Sequence, residues 1–145
     1  MSKLIQVISG PNLNLLGARQ PELYGSDTLD DVAQACTDVA EAAGMSLRSA
    51  QSNSEGALVD LIQACRNEAD GIVINAGAYS HTSIAILDAL HMFDGPVLEV
   101  HVSNIFRREK YRHFSYVTER ADGIIAGFGA EGYSLAVRRM VSLLS

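Results

Sequence analysis

Residues 71–75, Gly-Ile-Val-Ile-Asn, predict a β-strand with both faces buried. The run is short and its middle is almost purely β-branched, which favours a strand over a helix. Four other hydrophobic runs of similar length predict further strands, at 4–8, 47–51, 97–102 and 123–127. Hydrophobic residues at helical spacing predict helices within 29–43, 54–65, 84–94 and 135–144.

Strands that alternate with helices predict a parallel sheet covered by helices on both faces. With right-handed crossovers, five such units favour an α/β flavodoxin-like three-layer sandwich whose strand order is 2-1-3-4-5. The 145 residues suffice for one domain, 1–145, and no linker or repeat divides them. In such sheets ligands bind beyond the carboxyl ends of the strands, so the functional residues are expected there.

Charge and composition exclude several classes of function. A formal charge of −6 argues against general nucleic-acid binding, which needs clustered Lys and Arg. No hydrophobic stretch approaches the ~20 residues of a membrane span, and 1–5 lead into a strand without a signal-peptide pattern. Cys36 and Cys65 lack metal-ligand spacing and fit buried thiols in a reducing compartment. We therefore expect a cytoplasmic protein that binds neither nucleic acid nor membranes.

Polar side chains gather after three of the predicted strands, where a rigid scaffold can present them to a ligand. Singly, most have a structural alternative. Tyr24 could pack beside a turn, His81 could begin a helix, and the asparagines could be turn formers. The residues are Asn12, Arg19 and Tyr24 after the first strand, Asn75 and His81 after the third, and Glu99, His101 and Ser103 at the end of the fourth.

Glu99 and His101 form the most specific pair in the sequence. Their i, i+2 spacing puts both side chains on the same face of one strand. A carboxylate beside an imidazole fixes its tautomer and favours its protonated form, as a general acid requires. We therefore interpret the pair as catalytic.

Residues and motifs that the sequence lacks exclude several kinds of catalysis. The only lysines are Lys3 and Lys110, and neither follows a strand, where a Schiff-base lysine would be expected. The sequence has no nucleophile elbow, no Cys–His pair, no metal-ligand spacing and no glycine-rich phosphate motif. These absences predict acid–base chemistry on a small molecule, with no cofactor and no metal.

Several motifs in one order resemble the type II 3-dehydroquinate dehydratases, or type II dehydroquinases. The resemblance covers essentially the whole chain, up to 127–133. The matching stretches are Gly-Pro-Asn-Leu-Asn at 10–14, the loop 19–25, Gln-Ser-Asn at 51–53, 75–83, 99–104 and Arg-His at 112–113.

The resemblance implies a hydro-lyase that eliminates water reversibly, in the anti sense, from 3-dehydroquinate. The product is 3-dehydroshikimate, formed through an enolate without a Schiff base or cofactor, in the shikimate pathway or in quinate catabolism. It also implies a homododecamer built as a tetramer of trimers.

The same resemblance implies roles for individual residues. Tyr24 is the base that takes the C2 proton, and Arg19 on the same lid loop makes its phenol more acidic. His101, supported by Glu99, protonates the departing hydroxyl. The remaining residues bind substrate or its water: Asn12 holds a water against the enolate oxygen, Asn75, Gly77, His81 and Arg112 contact the substrate and its hydroxyls, the amides of Val102 and Ser103 bind the carboxylate, and Asp88 reaches a neighbouring subunit's site.

Five positions depart from the family pattern, and none has a proposed catalytic role: Gln20, Ser54, Ala76, Phe106 and Phe114. Two rival interpretations remain at this point. One is a flavodoxin-like module that binds a flavin or a phosphate without catalysis, although the loop after the first strand lacks the Ser, Thr and Gly of a phosphate loop. The other is a non-catalytic assembly subunit.

Overall fold

A computed structural model describes residues 2–18, 20, 22 and 25–145 of the chain. Five strands and four α-helices alternate through most of these residues. No helix in these ranges is both long and apolar enough to cross a membrane. In chain order the elements are β1 (Leu4–Ser9), α1 (Leu29–Ala42), β2 (Ser46–Gln51), α2 (Glu55–Glu68), β3 (Gly71–Asn75), α3 (Ile84–His91), β4 (Val97–His101), β5 (Gly123–Ala126) and α4 (Glu131–Leu144).

All five strands pair in parallel, in the order β2-β1-β3-β4-β5. The predicted order is confirmed, and each predicted strand is correct to within one residue at either end. The central strand β3 is buried along its whole length, as its continuous hydrophobic sequence requires. The five 3₁₀ turns were not predicted, and three of them lie between β4 and β5.

The sheet separates two hydrophobic cores, and the strand alternation decides which residue enters which. Val73 points to the core formed with α1 and α4, whereas Ile72 and Ile74 point to the core formed with α2 and α3. Cys36 and Cys65 each lie in one of these cores as free thiols. Burial raises the pKa of Cys36 to about 12 and that of Cys65 to about 11, so both thiols are structural.

The predicted helix boundaries have the expected capping contacts. Thr28 and Asp31 form a reciprocal capping box at the start of α1, with bonds of 3.0 and 3.1 Å. Gly44 follows α1 with φ of +75°, a left-handed conformation that glycine adopts without strain. Ser54 caps α2 by accepting from the backbone N–H of Ala57.

The carboxyl ends of β1 and β3 are held together by a close backbone contact at Gly10. Its N–H donates to the carbonyl of Asn75 at 2.8 Å. A Cβ at residue 10 would overlap the carbonyl group of Ala76, so only glycine fits here. This contact sets the distance between the two loops that follow these strands.

We predict that Gly10→Ala lowers the free energy of unfolding by about 1–3 kcal/mol, because the new methyl group must push the backbone of Ala76 away. Gly56→Ala in the first turn of α2 is the control, since its Cβ would meet only Ser54 Oγ, at 3.9 Å. Urea unfolding of both variants measures the difference. Equal stability of the two variants would show that the Gly10 contact is not tight.

Candidate active site

A cavity of about 170 Å³ lies at the carboxyl ends of β1, β3 and β4, where the sheet topology predicts a ligand site. A larger cavity of about 560 Å³ opens beside β5, but it collects no histidine or asparagine. The smaller cavity is the candidate active site because the polar groups converge there. Its lining consists of Pro11, Asn12, Leu13, Asn75, Gly77, Ala78, His81, His101, Val102, Ser103, Ile105, Arg108 and Arg112.

Glu99 and His101 form a buried pair on one face of β4, as predicted. The two residues are 1% and 4% exposed, and His101 Nε2 donates to Glu99 Oε2. Two hydroxyls also donate to the carboxylate: Ser115 Oγ to Oε2 at 2.6 Å and Thr118 Oγ1 to Oε1 at 2.5 Å. Burial alone would raise the pKa of Glu99, but the hydrogen bonds from His101, Ser115 and Thr118 hold it below its ordinary value.

An ionised Glu99 determines the tautomer of His101. Because a carboxylate can only accept hydrogen bonds, Nε2 of His101 carries a proton in every charge state of the ring. The other nitrogen, Nδ1, is therefore the one that can gain or lose a proton at the cavity.

His81 lies beside His101 in a different electrostatic setting. The two rings stack at 6.1 Å between centroids with an interplanar angle of 19°. Nδ1 of His81 donates to the carbonyl oxygen of Phe114 at 2.7 Å, so its Nε2 is left as an acceptor. Partial burial lowers the pKa of His81, and the nearby charges of His101 and Arg112 lower it further. His81 is thus a neutral ring that can accept a hydrogen bond from a ligand hydroxyl.

The two asparagines both shape turns and line the cavity, so the structural and functional interpretations hold together. Asn12 has φ of +70°, and its N–H donates to Asn53 Oδ1 at 2.9 Å. Asn75 is 3% exposed, and its Oδ1 accepts from the N–H of Gly77 at 3.0 Å. Both residues line the same cavity.

Positive charge and free backbone donors also line the cavity. The N–H groups of Val102 and Ser103 have no acceptor within the described part of the chain. Arg108 Nη1 donates to Ser103 Oγ at 3.3 Å, and Arg112 Nε donates to Glu109 at 3.1 Å. The arginine side chains are only 15% and 20% exposed. Together these groups make a site suited to an anion.

The model of the family described as Dehydroquinase class II matches residues 3–141. The chain belongs to this family. Membership favours the enzyme over both rivals, the flavin- or phosphate-binding module and the assembly subunit.

Individual class II dehydroquinases match nearly the whole chain. A 3-dehydroquinate dehydratase of Cereibacter sphaeroides (strain KD131 / KCTC 12085) is 61% identical over 143 residues, which cover 99% of this chain and 97% of that protein. A 3-dehydroquinate dehydratase 2 of Agrobacterium fabrum is 57% identical, with coverage of 98% and 97%. The crystal structure of the type II dehydroquinase from Propionibacterium acnes has a TM-score of 0.93 at 41% identity, with 98% of each chain covered.

Not every predicted site residue of this dehydroquinase lies in the cavity. Arg19 and Tyr24 lie outside the described residues. Glu99 is behind His101 and does not line the cavity, and Asp88 is exposed on α3, away from it. Lys3 and Lys110 do not line the cavity. Within the described ranges, no group of three or more His, Cys, Asp or Glu could hold a metal ion.

Sequence analysis did not identify three residues of the site: Arg108, Ser115 and Thr118. Arg108 belongs to the charged run 107–112, and such runs are usually solvated, yet its side chain is largely buried at the cavity. Ser115 and Thr118 follow β4 in an irregular segment without periodicity. The only sequence feature that could have identified them is their position shortly after the Arg-His motif at 112–113.

The residues that depart from the family pattern do not disrupt the contacts of the site. Ser54 supplies the cap of α2, and Ala76 precedes the 3₁₀ turn Gly77–His81 as a buried residue. Phe114 holds His81 through its backbone carbonyl, which does not depend on the side chain. Phe106 and Phe114 are 58% and 54% exposed, so both rings face outward.

We predict that His81 stays neutral, with its proton on Nδ1, as the pH falls from neutral through its ordinary pKa of 6.5. A histidine with a lowered pKa gains its charge only below that value. ¹⁵N NMR of the histidine side chains measures both tautomer and charge, and His81→Gln identifies the resonance. A ring that is mainly charged at pH 6.5, or protonated on Nε2 when neutral, would contradict this assignment.

Proposed function

We propose that this chain catalyses the reversible anti elimination of water from 3-dehydroquinate, giving 3-dehydroshikimate through an enolate. The relatives named above are 3-dehydroquinate dehydratases at about the same length and at high identity. The observation that carries the proposal is the buried Glu99–His101 pair at a cavity of small-molecule size. The same reaction serves the shikimate pathway and quinate breakdown.

His101 acts as the general acid in this proposal. Its Nδ1–H gives a proton to the departing hydroxyl, which leaves as water with the electron pair of the C–O bond. Glu99 keeps the ring in one tautomer and one orientation. Proton transfer from a ring held this way contributes typically 10²- to 10⁴-fold to a rate.

Tyr24 acts as the base and Arg19 as its activator. A free phenol has a pKa near ~10, and lowering it by ~2–3 units requires about 3–4 kcal/mol of preferential phenolate stabilisation. A guanidinium in a closed cleft can supply much of this. Support comes from the family motif at 19–25 and from Gly25, which lines an adjoining cavity with Val102, Ser103 and Arg108.

The rest of the cavity positions the substrate. The free N–H groups of Val102 and Ser103 bind the carboxylate, helped by the positive charge of Arg112. Asn75, Gly77 and the neutral His81 contact the ring and its hydroxyls. Asn12, in an exposed turn at the cavity, holds a water against the enolate oxygen. Fixed donors aimed at the developing oxyanion are usually the largest electrostatic term in such catalysis.

We predict that the purified protein converts 3-dehydroquinate without added cofactor, with the conjugated enone product detected by its ultraviolet absorbance. Tyr24→Phe and His101→Ala should each lower kcat by about 10²- to 10⁴-fold, because each removes a proton-transfer group.

Two matched variants control for general damage. Tyr116→Phe removes a phenolic hydroxyl away from the cavity, and His91→Ala removes an exposed histidine in the last turn of α3. Both should keep normal turnover. Wild-type protein that is folded yet inactive would refute the proposed reaction, and a fully active Tyr24→Phe would refute the assignment of the base.

We also propose a cytoplasmic homododecamer, arranged as a tetramer of trimers, in which Asp88 serves a neighbouring subunit's site. Large exposed apolar side chains support an assembly, since Phe106, Phe114 and Phe128 are 54–61% exposed. The two buried free thiols fit a reducing compartment.

Multi-angle light scattering should give a mass twelve times the 15.6 kDa of one chain. Moderate denaturant should release trimers before monomers if the trimer is the stronger unit. A mass of one or two chains at micromolar concentration would contradict the assembly.

A further inference from the structure

The carboxylate of Glu99 is held by two hydroxyls from the irregular segment that follows β4. Ser115 is 7% exposed and donates to Oε2, the same oxygen that accepts from His101. Thr118 comes from an exposed turn and donates to Oε1. Both carboxylate oxygens are therefore occupied, and Ser115 shares one of them with the catalytic imidazole.

We propose that Ser115 and Thr118 are positioning residues for the dehydration, acting on the general acid His101 through Glu99. This inference rests on the proposed function and deepens it. Neither hydroxyl lines the cavity, so neither touches the substrate. Their effect is to fix the rotation and the charge of the carboxylate, which in turn fixes the orientation and the proton of His101.

The two hydroxyls act on different oxygens: Thr118 occupies Oε1, and Ser115 adds a second donor to the Oε2 that His101 already holds. A carboxylate with one donor can rotate about its Cγ–Cδ bond, whereas donors on both oxygens fix the plane of the group. Burial of Glu99 favours its neutral form, so each donor lost moves the group toward a protonated acid. A protonated Glu99 can also donate a hydrogen bond, so it no longer fixes the tautomer of His101.

The bond from Ser115 is buried, which makes it electrostatically stronger than one in water, whereas the bond from Thr118 is partly buried. Both residues line a groove of about 510 Å³. The segment is anchored independently of the hydroxyls, since the N–H of Tyr116 donates to the carbonyl of Ser80 at 2.8 Å. Removing a hydroxyl should therefore leave the backbone in place.

The same segment also fixes the tautomer of the second histidine, His81. The carbonyl of Phe114, adjacent to Ser115, accepts from Nδ1 of His81 at 2.7 Å. Three neighbouring groups thus determine the state of both imidazoles in the cavity. The charged or titratable groups that act on Glu99 in the described site are His101 on its own strand and His81 beside it.

The test compares Ser115→Ala and Thr118→Val with hydroxyl deletions elsewhere. Ser134→Ala and Thr37→Val are matched controls, because each removes a hydroxyl that donates to a helical carbonyl far from the cavity. For Ser115→Ala and Thr118→Val we expect kcat for 3-dehydroquinate to fall by about 10- to 100-fold, the loss of a hydrogen bond to a charged group. KM should change by less than about threefold, since substrate contacts remain. Thr118→Ser, which keeps the hydroxyl, should recover most of the lost kcat.

A spectroscopic measurement separates positioning from a purely structural role. In wild-type protein the Nε2–H of His101 should give a strongly downfield ¹H resonance, and each deletion should shift it upfield. Ser115→Cys, which keeps the size with a weaker donor, replaces Ser115→Ala if that variant does not fold. Unchanged kcat with an unchanged resonance would overturn the proposal, as would a Thr118→Ser as slow as Thr118→Val. An inactive wild-type protein would instead refute the proposed function, and the resonance would still decide on positioning.

Discussion

The buried carboxylate of Glu99 is the constraint on which the rest of the site depends. A buried ionised group is costly unless it is paired and hydrogen-bonded, and here one imidazole and two hydroxyls satisfy it. These donors come from β4 and from the segment after it, so the chain between β4 and β5 must fold back over the sheet. The cost of burying the charge is what makes the orientation of His101 specific.

The sheet, rather than any helix, brings the reacting groups together. Parallel strands end at one edge, and the register places Ser9 beside Asn75 and Ile74 beside Glu99. The loops after β1 and β3 and the end of β4 therefore face one cavity. Sequence alone predicts this much, because β-branched runs such as 71–75 define the strands and the topology rule locates their ends. Asn12, Asn75, His81 and His101 lie together as that rule requires, while their catalytic roles stay predictions.

Sequence could not predict the contacts made by irregular backbone. Ser115 and Thr118 lie where no hydrophobic period exists, and their partner is sixteen or more residues away. The carbonyl of Phe114 carries no side-chain signal at all, since every residue has one. Arg108 belongs to a charged run whose average behaviour is a solvated surface, and only the folded chain shows its side chain against Ser103. Such groups are specified by tertiary distance and not by local pattern.

The two stacked histidines of the cavity have different hydrogen-bond partners. The partner of His101 is an anion, which holds a proton on Nε2. The partner of His81 is a neutral carbonyl, and burial together with the nearby positive charges lowers its pKa, which leaves a lone pair on Nε2. The rings stack at 6.1 Å between centroids, so a ring bonded to a carboxylate and a ring bonded to a carbonyl lie side by side in the cavity. The chemistry of the site thus follows from which oxygen lies behind each ring.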